Sequence, residues 1–298
     1  MHKISQVKSM ITVLINGGLG NQLFQVFATL AAAIRTGGAC YFLRVPTDAV
    51  GKRPTYWNTL LRSLIPMTVI PTQANVQRFM RLPEHREPAF AYTPLLLPRK
   101  PDMKLVGYFQ SHKYFNDVQD AIYDKLQLRD QQRGILAESA WFPSGAVTVA
   151  MHFRIGDYTH IQESHPVLPL EYYRRALNHV VRGVTPDAGS IHVLLFGEAC
   201  DNAVILNHMR QLMADPAFGG RCQFHKVPDL VADWKQLLLM SVCNYNIIAN
   251  STFSWWGAYL NQTPGKTVCY PSTWFGPALQ MYDTRDLFPA EWVRIDAR

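Results

Sequence analysis

His152, Arg154, Asp157 and Tyr158 follow an apolar, partly β-branched run at 147–151, inside the segment VTVAMHFRIGDY at 147–158. Such a run forms a short buried strand. Residues two apart on extended backbone share a side, so His152 and Arg154 project together from the strand's end. In open α/β sheets ligands bind just beyond the carboxyl ends of strands. A guanidinium and an imidazole placed there suit a phosphorylated ligand. The plainer alternative is a strand end with a solvated Arg–Asp pair.

Two further clusters have related chemistry. GGLGNQ at 17–22 lies between an apolar run at 11–15 and an Ala- and Leu-rich stretch at 23–34. Glycine allows close backbone approach, and a helix that follows offers free N–H groups to an anion. The segment lacks the Lys-Ser/Thr of a P-loop and the spacing of a dinucleotide fingerprint. Asn21 and Gln22 add carboxamides within reach of a phosphate or a sugar hydroxyl, although a plain glycine turn reads equally well. The third cluster is Asn250-Ser251-Thr252-Phe253-Ser254, after a strand at 247–249 and before Trp255 and Trp256. Hydroxyls and amides at a helix start suit phosphate, and Phe253 suits a base or sugar. An N-cap with an aromatic core contact is the alternative.

Other chemistries find no support. There is no Asp-x-Asp, no metal-ligand spacing of His, Cys, Asp or Glu, and no Gly-x-Ser-x-Gly elbow. If the substrate is a nucleotide diphosphate, Arg154 and oriented amides rather than a metal would have to stabilise the leaving pyrophosphate.

The elements that position these clusters alternate between strand and helix, which predicts an α/β architecture. Strands are expected at 11–15, 39–45, 105–110, 147–151, 191–196, 245–249 and 268–270. Helices are expected at 23–34, within 115–139, and at 169–182, 200–214 and 229–243. The stretch 46–104 reads as irregular and proline-rich. Trp141-Phe142-Pro143-Ser144-Gly145 has linker chemistry and marks a boundary between two lobes. With 298 residues, 48% of them hydrophobic, the chain can bury two cores. The formal charge of +7 suits an anionic ligand, but 17% charged residues and the lack of a basic block argue against nucleic acid. Five scattered cysteines without a CxxC pair predict reduced thiols. Lys3 and Lys8 precede an apolar run too short for a signal peptide, which predicts a cytoplasmic protein.

Taken in order, GGLGNQLFQ at 17–25, GYFQSHKYFND at 107–117, HFRIGDY at 152–158, LPLEYYRRAL at 168–177, LMSVCNYNIIANSTFSWWGAYL at 239–260 and FPAEW at 288–292 resemble the α-1,2-fucosyltransferases of glycosyltransferase family 11. The resemblance implies a GT-B-like α/β fold of two Rossmann-like lobes with the donor cleft between them. The lobe at 10–143 would carry the acceptor side and the Gly-rich loop, and the lobe at 144–298 would bind GDP-fucose. It implies inverting transfer of L-fucose from GDP-β-L-fucose to the 2-hydroxyl of a terminal β-galactoside, free or lipid-linked, with no metal or other cofactor. If the acceptor is lipid-linked, part of the positive charge would hold the protein at the inner membrane surface.

Carried over by position, Arg154 matches the arginine on the donor pyrophosphate and His152 its neighbour, with Asp157 beside them. Gly18, Gly20, Asn21 and Gln22 match the donor-side loop, and Ser251, Thr252, Phe253 and Ser254 the donor-binding hydroxyl cluster. Asp157, His160 and Glu163 are the candidates for general base. Three departures stand out. Ile155 replaces a second arginine. Gln236 replaces an aspartate five positions before Ser241, with Asp233 one helical turn earlier. Phe196-Gly197-Glu198-Ala199 replaces Phe-Ser-Asp-Asp. The competing expectations are O- or α-1,6-linkage, a catalytically silent nucleotide- or glycan-binding protein, and a nicotinamide-dependent dehydrogenase.

Overall fold

The computed structural model describes residues 9–49, 51–143, 145–185 and 189–298; Lys3, Lys8 and Ser144 lie outside them. The chain forms two compact units, one running to Gln131 and taking in Tyr282–Pro289, the other Gln132–Met281 with Ala290–Arg298. The division falls before the linker-like segment at 141–145, inside a helix.

In the first unit, β1 (Ile11–Val13) leads into α1 (Leu19–Thr36), followed by β2 (Phe42–Leu43), β3 (Thr68–Val69), α2 (Gln73–Arg81), β4 (Glu84–Arg86) and β5 (Met103–Val106). α3 (Gln119–Leu126) comes next, and α4 (Leu128–Glu138) crosses the division. β1, β5 and β4 form a parallel sheet in that order; β2 pairs with β3, and Ile11 bridges to Cys40. α1 buries Leu23, Phe24, Phe27 and Leu30, and the Phe27 ring lies 5.3 Å from Phe115 and 6.3 Å from Tyr123. It stops where Gly37 turns left-handed and the freed N–H groups return to Ala33 and Ile34. Gln127, at φ 52, breaks the expected helical region into α3 and α4. The stretch 46–104 is less irregular than its prolines suggest, because α2 has an N-cap at Thr72 and packs Phe79 and Leu82 against Leu43 and Val69.

In the second unit the chain alternates β6 (Val147–His152), α5 (Leu170–Gly183), β7 (Ile191–Phe196), α6 (Asn202–Met213), β8 (Cys222–Lys226), α7 (Asp233–Met240), β9 (Tyr245–Ile247), α8 (Thr252–Tyr259), β10 (Thr267–Pro271) and β11 (Val293–Ile295). All six strands are parallel, in the order β11-β10-β9-β6-β7-β8. Val149, Met151, Val193, Leu195 and Ile247 form its core with Tyr172, Tyr173 and Leu177 of α5. Burying a Val or Leu side chain in this way stabilises by about 1.5–3 kcal/mol. β8 and β11 carry half-exposed, partly polar residues, so neither shows the apolar run of a central strand. The five cysteines are free thiols. No helix among the described residues is long and apolar enough to cross a membrane.

Candidate active site

The six-stranded sheet winds outward from β6, first to β7 and β8, then back across to β9, β10 and β11. Strand order therefore reverses between β6 and β9, and an open α/β sheet binds its ligand at such a reversal. His152 ends β6 there, with Arg154 following, and α8 starts after β9 on the neighbouring side. The His152 ring lies 5.3 Å from that of Phe253. The structure thus brings His152, Arg154, Ser251, Thr252, Phe253 and Ser254 to one strand edge.

Their roles differ. Ser251 caps α8 by accepting from Phe253 N at 3.3 Å. Ser254 is buried, and its hydroxyl donates to Ala249 O and Ser251 O. These two hydroxyls build the turn, while Thr252 and Phe253 are half-buried beside it. Burial, reinforced by the charge on Arg154, pushes the pKa of His152 from 6.5 down to about 3. The imidazole is therefore neutral and offers hydrogen bonds rather than charge, with its Nδ1 enclosed and unpartnered.

Arg154 is the cation of this edge. It pairs with Asp157 at 2.6 Å and with Glu198 beyond the end of β7, and its guanidinium carbon lies 5.1 Å from the Tyr158 ring centroid. Burial opposes its charge, but Glu198 and Asp157 outweigh that and raise its pKa. These pairs occupy one Nη1 and one Nη2 contact of a five-donor fork, which leaves donors for an anion. Asp201, also beyond β7, accepts from Gly156 N through both oxygens at 3.0 Å. No spacing in the sequence suggested a metal site, yet Glu198, Cys200 and Asp201 place ligand atoms within 4.8 Å of one another. Ile155 is packed into the core, so this chain has a buried apolar contact where the family pattern has its second arginine.

The loop after Arg154 carries the proposed bases. Asp157 is committed to Arg154, whereas His160 and Glu163 are exposed. His165, which sequence reasoning passed over, stacks on Tyr158 with ring centroids 5.0 Å apart and tilts against Phe275 at 5.6 Å. Tyr158 in turn donates to Asn250 O at 3.1 Å. On α7, Gln236 donates to Val231 O, Ser241 donates to Leu238 O, and Asp233 accepts from Trp234 N. None of these bonds marks a base-recognition pocket.

The glycine turn belongs to the first unit. Gly17, at φ 82, donates its N–H to Asp48 at 3.0 Å. Gln22 is fully buried and donates to Gly17 O and Pro54 O, both at 2.8 Å. Its side chain braces the turn. Gln25 brackets Asn16 by bonding both its N–H and its carbonyl. Gly18 is the N-cap of α1, and Gly20 and Asn21 lie in its first turn, where N–H groups lack helical partners. Asn21 Oδ1 accepts from Gln110 at 3.0 Å.

The sequence pattern of Glycosyl transferase family 11 matches residues 1–296. The chain belongs to that family. It is 28% identical over 180 residues to the O-antigen biosynthesis glycosyltransferase WbnK of Escherichia coli, covering 57% of this chain and 55% of WbnK. The chain thus spans about half the length of that relative. It is 26% identical over 302 residues to the Galactoside alpha-(1,2)-fucosyltransferase 1 of Homo sapiens, covering 96% of this chain and 75% of the human one. Among solved structures, fucosyltransferase NodZ from Bradyrhizobium superposes with a TM-score of 0.51 at 12% identity, covering 85% of this chain and 94% of NodZ. That likeness is one of fold, the parallel α/β architecture of the GT-B type.

Proposed function

We propose that this family 11 member transfers L-fucose from GDP-β-L-fucose to the 2-hydroxyl of a terminal β-galactoside, with inversion and without a metal. The observation that carries the reading is the placement of Arg154 and His152 beside the start of α8, at the strand reversal of a six-stranded parallel sheet. The name of the human relative supports the linkage, and that of WbnK supports a place in bacterial surface-polysaccharide assembly.

In this reading the bond from the fucose anomeric carbon to the β-phosphate oxygen breaks while the bond to the acceptor oxygen forms. Negative charge grows on the leaving diphosphate, and Arg154 meets it with the donors left open by Asp157 and Glu198. The free N–H groups at the start of α8 add partial positive charge. Neutral His152 aligns the donor through a hydrogen bond, and Phe253 gives it an apolar wall. The acceptor proton passes to a group on the 157–163 loop, with Asp157, His160 and Glu163 as the candidates. In the first unit, the buried Gln22 holds the glycine turn that opens α1.

The test is release of GDP from GDP-fucose with EDTA present, using lactose, N-acetyllactosamine and Gal-β-1,3-GalNAc as acceptors, followed by linkage analysis of the product. Acceptor-dependent release with an α-1,2 product supports the reading. Thermal stabilisation by GDP without release from any acceptor would indicate a silent binding protein, and an α-1,6 product would overturn the linkage.

A further inference from the structure

The segment GYFQSHKYFND at 107–117 plays no part in the donor chemistry described above, yet its backbone is held in an unusual course. Gly107, just past the end of β5, has φ 155, and a Cβ built on it would lie 2.5 Å from Glu87 Cβ. Phe109 has φ 56, a left-handed conformation that bulky residues adopt only when their surroundings enforce it. The enforcement is visible. Glu87 Oε2 accepts from both Tyr108 N and Phe109 N at 2.9 Å. Phe109 itself is buried against Tyr114, with ring centroids 5.2 Å apart.

The effect of this turn is to face one aromatic ring inward and the next outward. Phe109 is 0% exposed and Tyr108 is 40% exposed. Tyr108 follows the carboxyl end of β5, and Asn16 follows that of the adjacent β1. Asn16 Nδ2 donates to the Tyr108 hydroxyl at 3.3 Å. Asn21 and Gln110 form a second carboxamide contact on the same strand edge. Asn16 Oδ1 and Asn21 Nδ2 are left without a protein partner among the described residues. Backbone strain clusters at ligand sites, and here it presents an exposed ring flanked by carboxamides at the carboxyl end of a parallel sheet.

We propose that Tyr108 is the platform for a neutral pyranoside, the acceptor sugar of the transfer proposed above, with Asn16 and the Asn21–Gln110 pair bonding its hydroxyls. The ring supplies a broad apolar face for the C–H side of a sugar at low entropic cost. A carboxamide carries a donor and an acceptor on one group, which matches adjacent hydroxyls. The inference rests on the transferase reading for its choice of ligand and on the first unit's geometry for its site.

The experiment has two readouts on the whole chain. Saturation-transfer NMR with methyl β-galactoside and lactose measures glycoside binding without donor. Initial rates measure acceptor KM, donor KM and kcat for Tyr108→Ala and Tyr108→Phe, with GDP affinity by calorimetry as the check on folding. The expected result is that Tyr108→Ala raises acceptor KM by about ten-fold or more and abolishes glycoside saturation. Donor KM and GDP affinity stay unchanged, and Tyr108→Phe, which keeps the ring, stays within a few-fold of wild type. Three outcomes overturn the platform: unchanged acceptor KM in Tyr108→Ala, equal losses in the two variants, or no glycoside saturation in the wild type. Absence of GDP release from the wild type with any acceptor would instead overturn the transferase reading, with the NMR result still deciding the sugar site.

Discussion

Asp201 holds Gly156 by its backbone N–H, both carboxylate oxygens lying 3.0 Å from the nitrogen. Gly156 follows Arg154 on the chain from β6, while Asp201 and Glu198 follow β7. Neighbouring strands thus fix the candidate phosphate-binding turn from the side, through Asp201 on its backbone and Glu198 on its arginine. Removing Asp201 should leave the Gly156 N–H without its buried acceptor, a loss of about 1–3 kcal/mol. Asp201→Ala is therefore expected to lower Tm and weaken GDP binding together. Asp201→Asn, which keeps an acceptor oxygen, should recover most of both. Calorimetric GDP affinity unchanged in Asp201→Ala would show that the turn does not depend on this contact.

Arg154→Ala should cost about 10²–10³-fold in kcat, the scale set by loss of one preorganised charge at a developing anion. Its side chain is only 21% exposed and pairs with Asp157 and Glu198, so removing it leaves two carboxylates without their cation and Tm should fall as well. Arg154→Lys keeps the charge but loses the planar fork that reaches Asp157 and Glu198 at once, and is expected to stay well below wild type. Single-turnover rates with saturating GDP-fucose distinguish lost chemistry from lost binding. Full single-turnover activity in Arg154→Ala would remove Arg154 from the mechanism.

Much of this edge was legible because its signals are local. An apolar run followed by His152 and Arg154 names a strand and its end, and Ser251 before Thr252 marks a helix start. Gln22 was harder, because a carboxamide next to a glycine turn looks the same whether it meets a ligand or, as here, the turn's own carbonyl. Asp201 and His165 escaped notice for another reason. Asp201 acts on a residue 45 positions away, and His165 matters through the rings of Tyr158 and Phe275, contacts that tertiary folding alone creates. α2 was missed because prolines on either side of it suggested irregular chain, while Thr72 supplies a cap that a single threonine signals weakly. β8 and β11, at the two edges of their sheet, lack the apolar run by which a central strand announces itself.

Stability should fall on mild acidification. Burial, with Arg154 nearby, takes His152 from 6.5 to about 3, and burial also lowers His165 and His208. Between those limits the unfolded chain binds protons that the folded state refuses, so stability is complete above 6.5 and is lost as pH falls. His152 alone should account for about 2 kcal/mol between pH 6.5 and about 5. The lowered carboxylates Asp48 and Asp215 start from 3.8, so their contribution is still present at that pH. Urea midpoints at pH about 7.5 and about 5 should therefore differ. His152→Gln should flatten the difference, and an unchanged pH slope in that variant would count against a neutral buried His152.

Two glycine-to-alanine changes should have opposite signs, because one glycine is enclosed and the other open. A Cβ at Gly276 would lie 2.4 Å from Glu163 O and 2.6 Å from Gln162 O, backbone atoms that cannot rotate away. Gly276 N also donates to Ser164 O and Ala278 N to Glu163 O, so the added methyl must push the segment that leads into His165. Gly276→Ala is expected to cost about 1–3 kcal/mol, as overpacking does, and to lower kcat/KM by displacing the loop beside Arg154. Gly134, inside α4, has nothing within 4 Å of an added Cβ. Gly134→Ala should gain up to about 1 kcal/mol from helix propensity and leave turnover unchanged. Urea midpoints and kcat/KM measured in parallel check both. A stable, fully active Gly276→Ala would mean that the 162–164 segment yields easily and does not fix the geometry around Arg154.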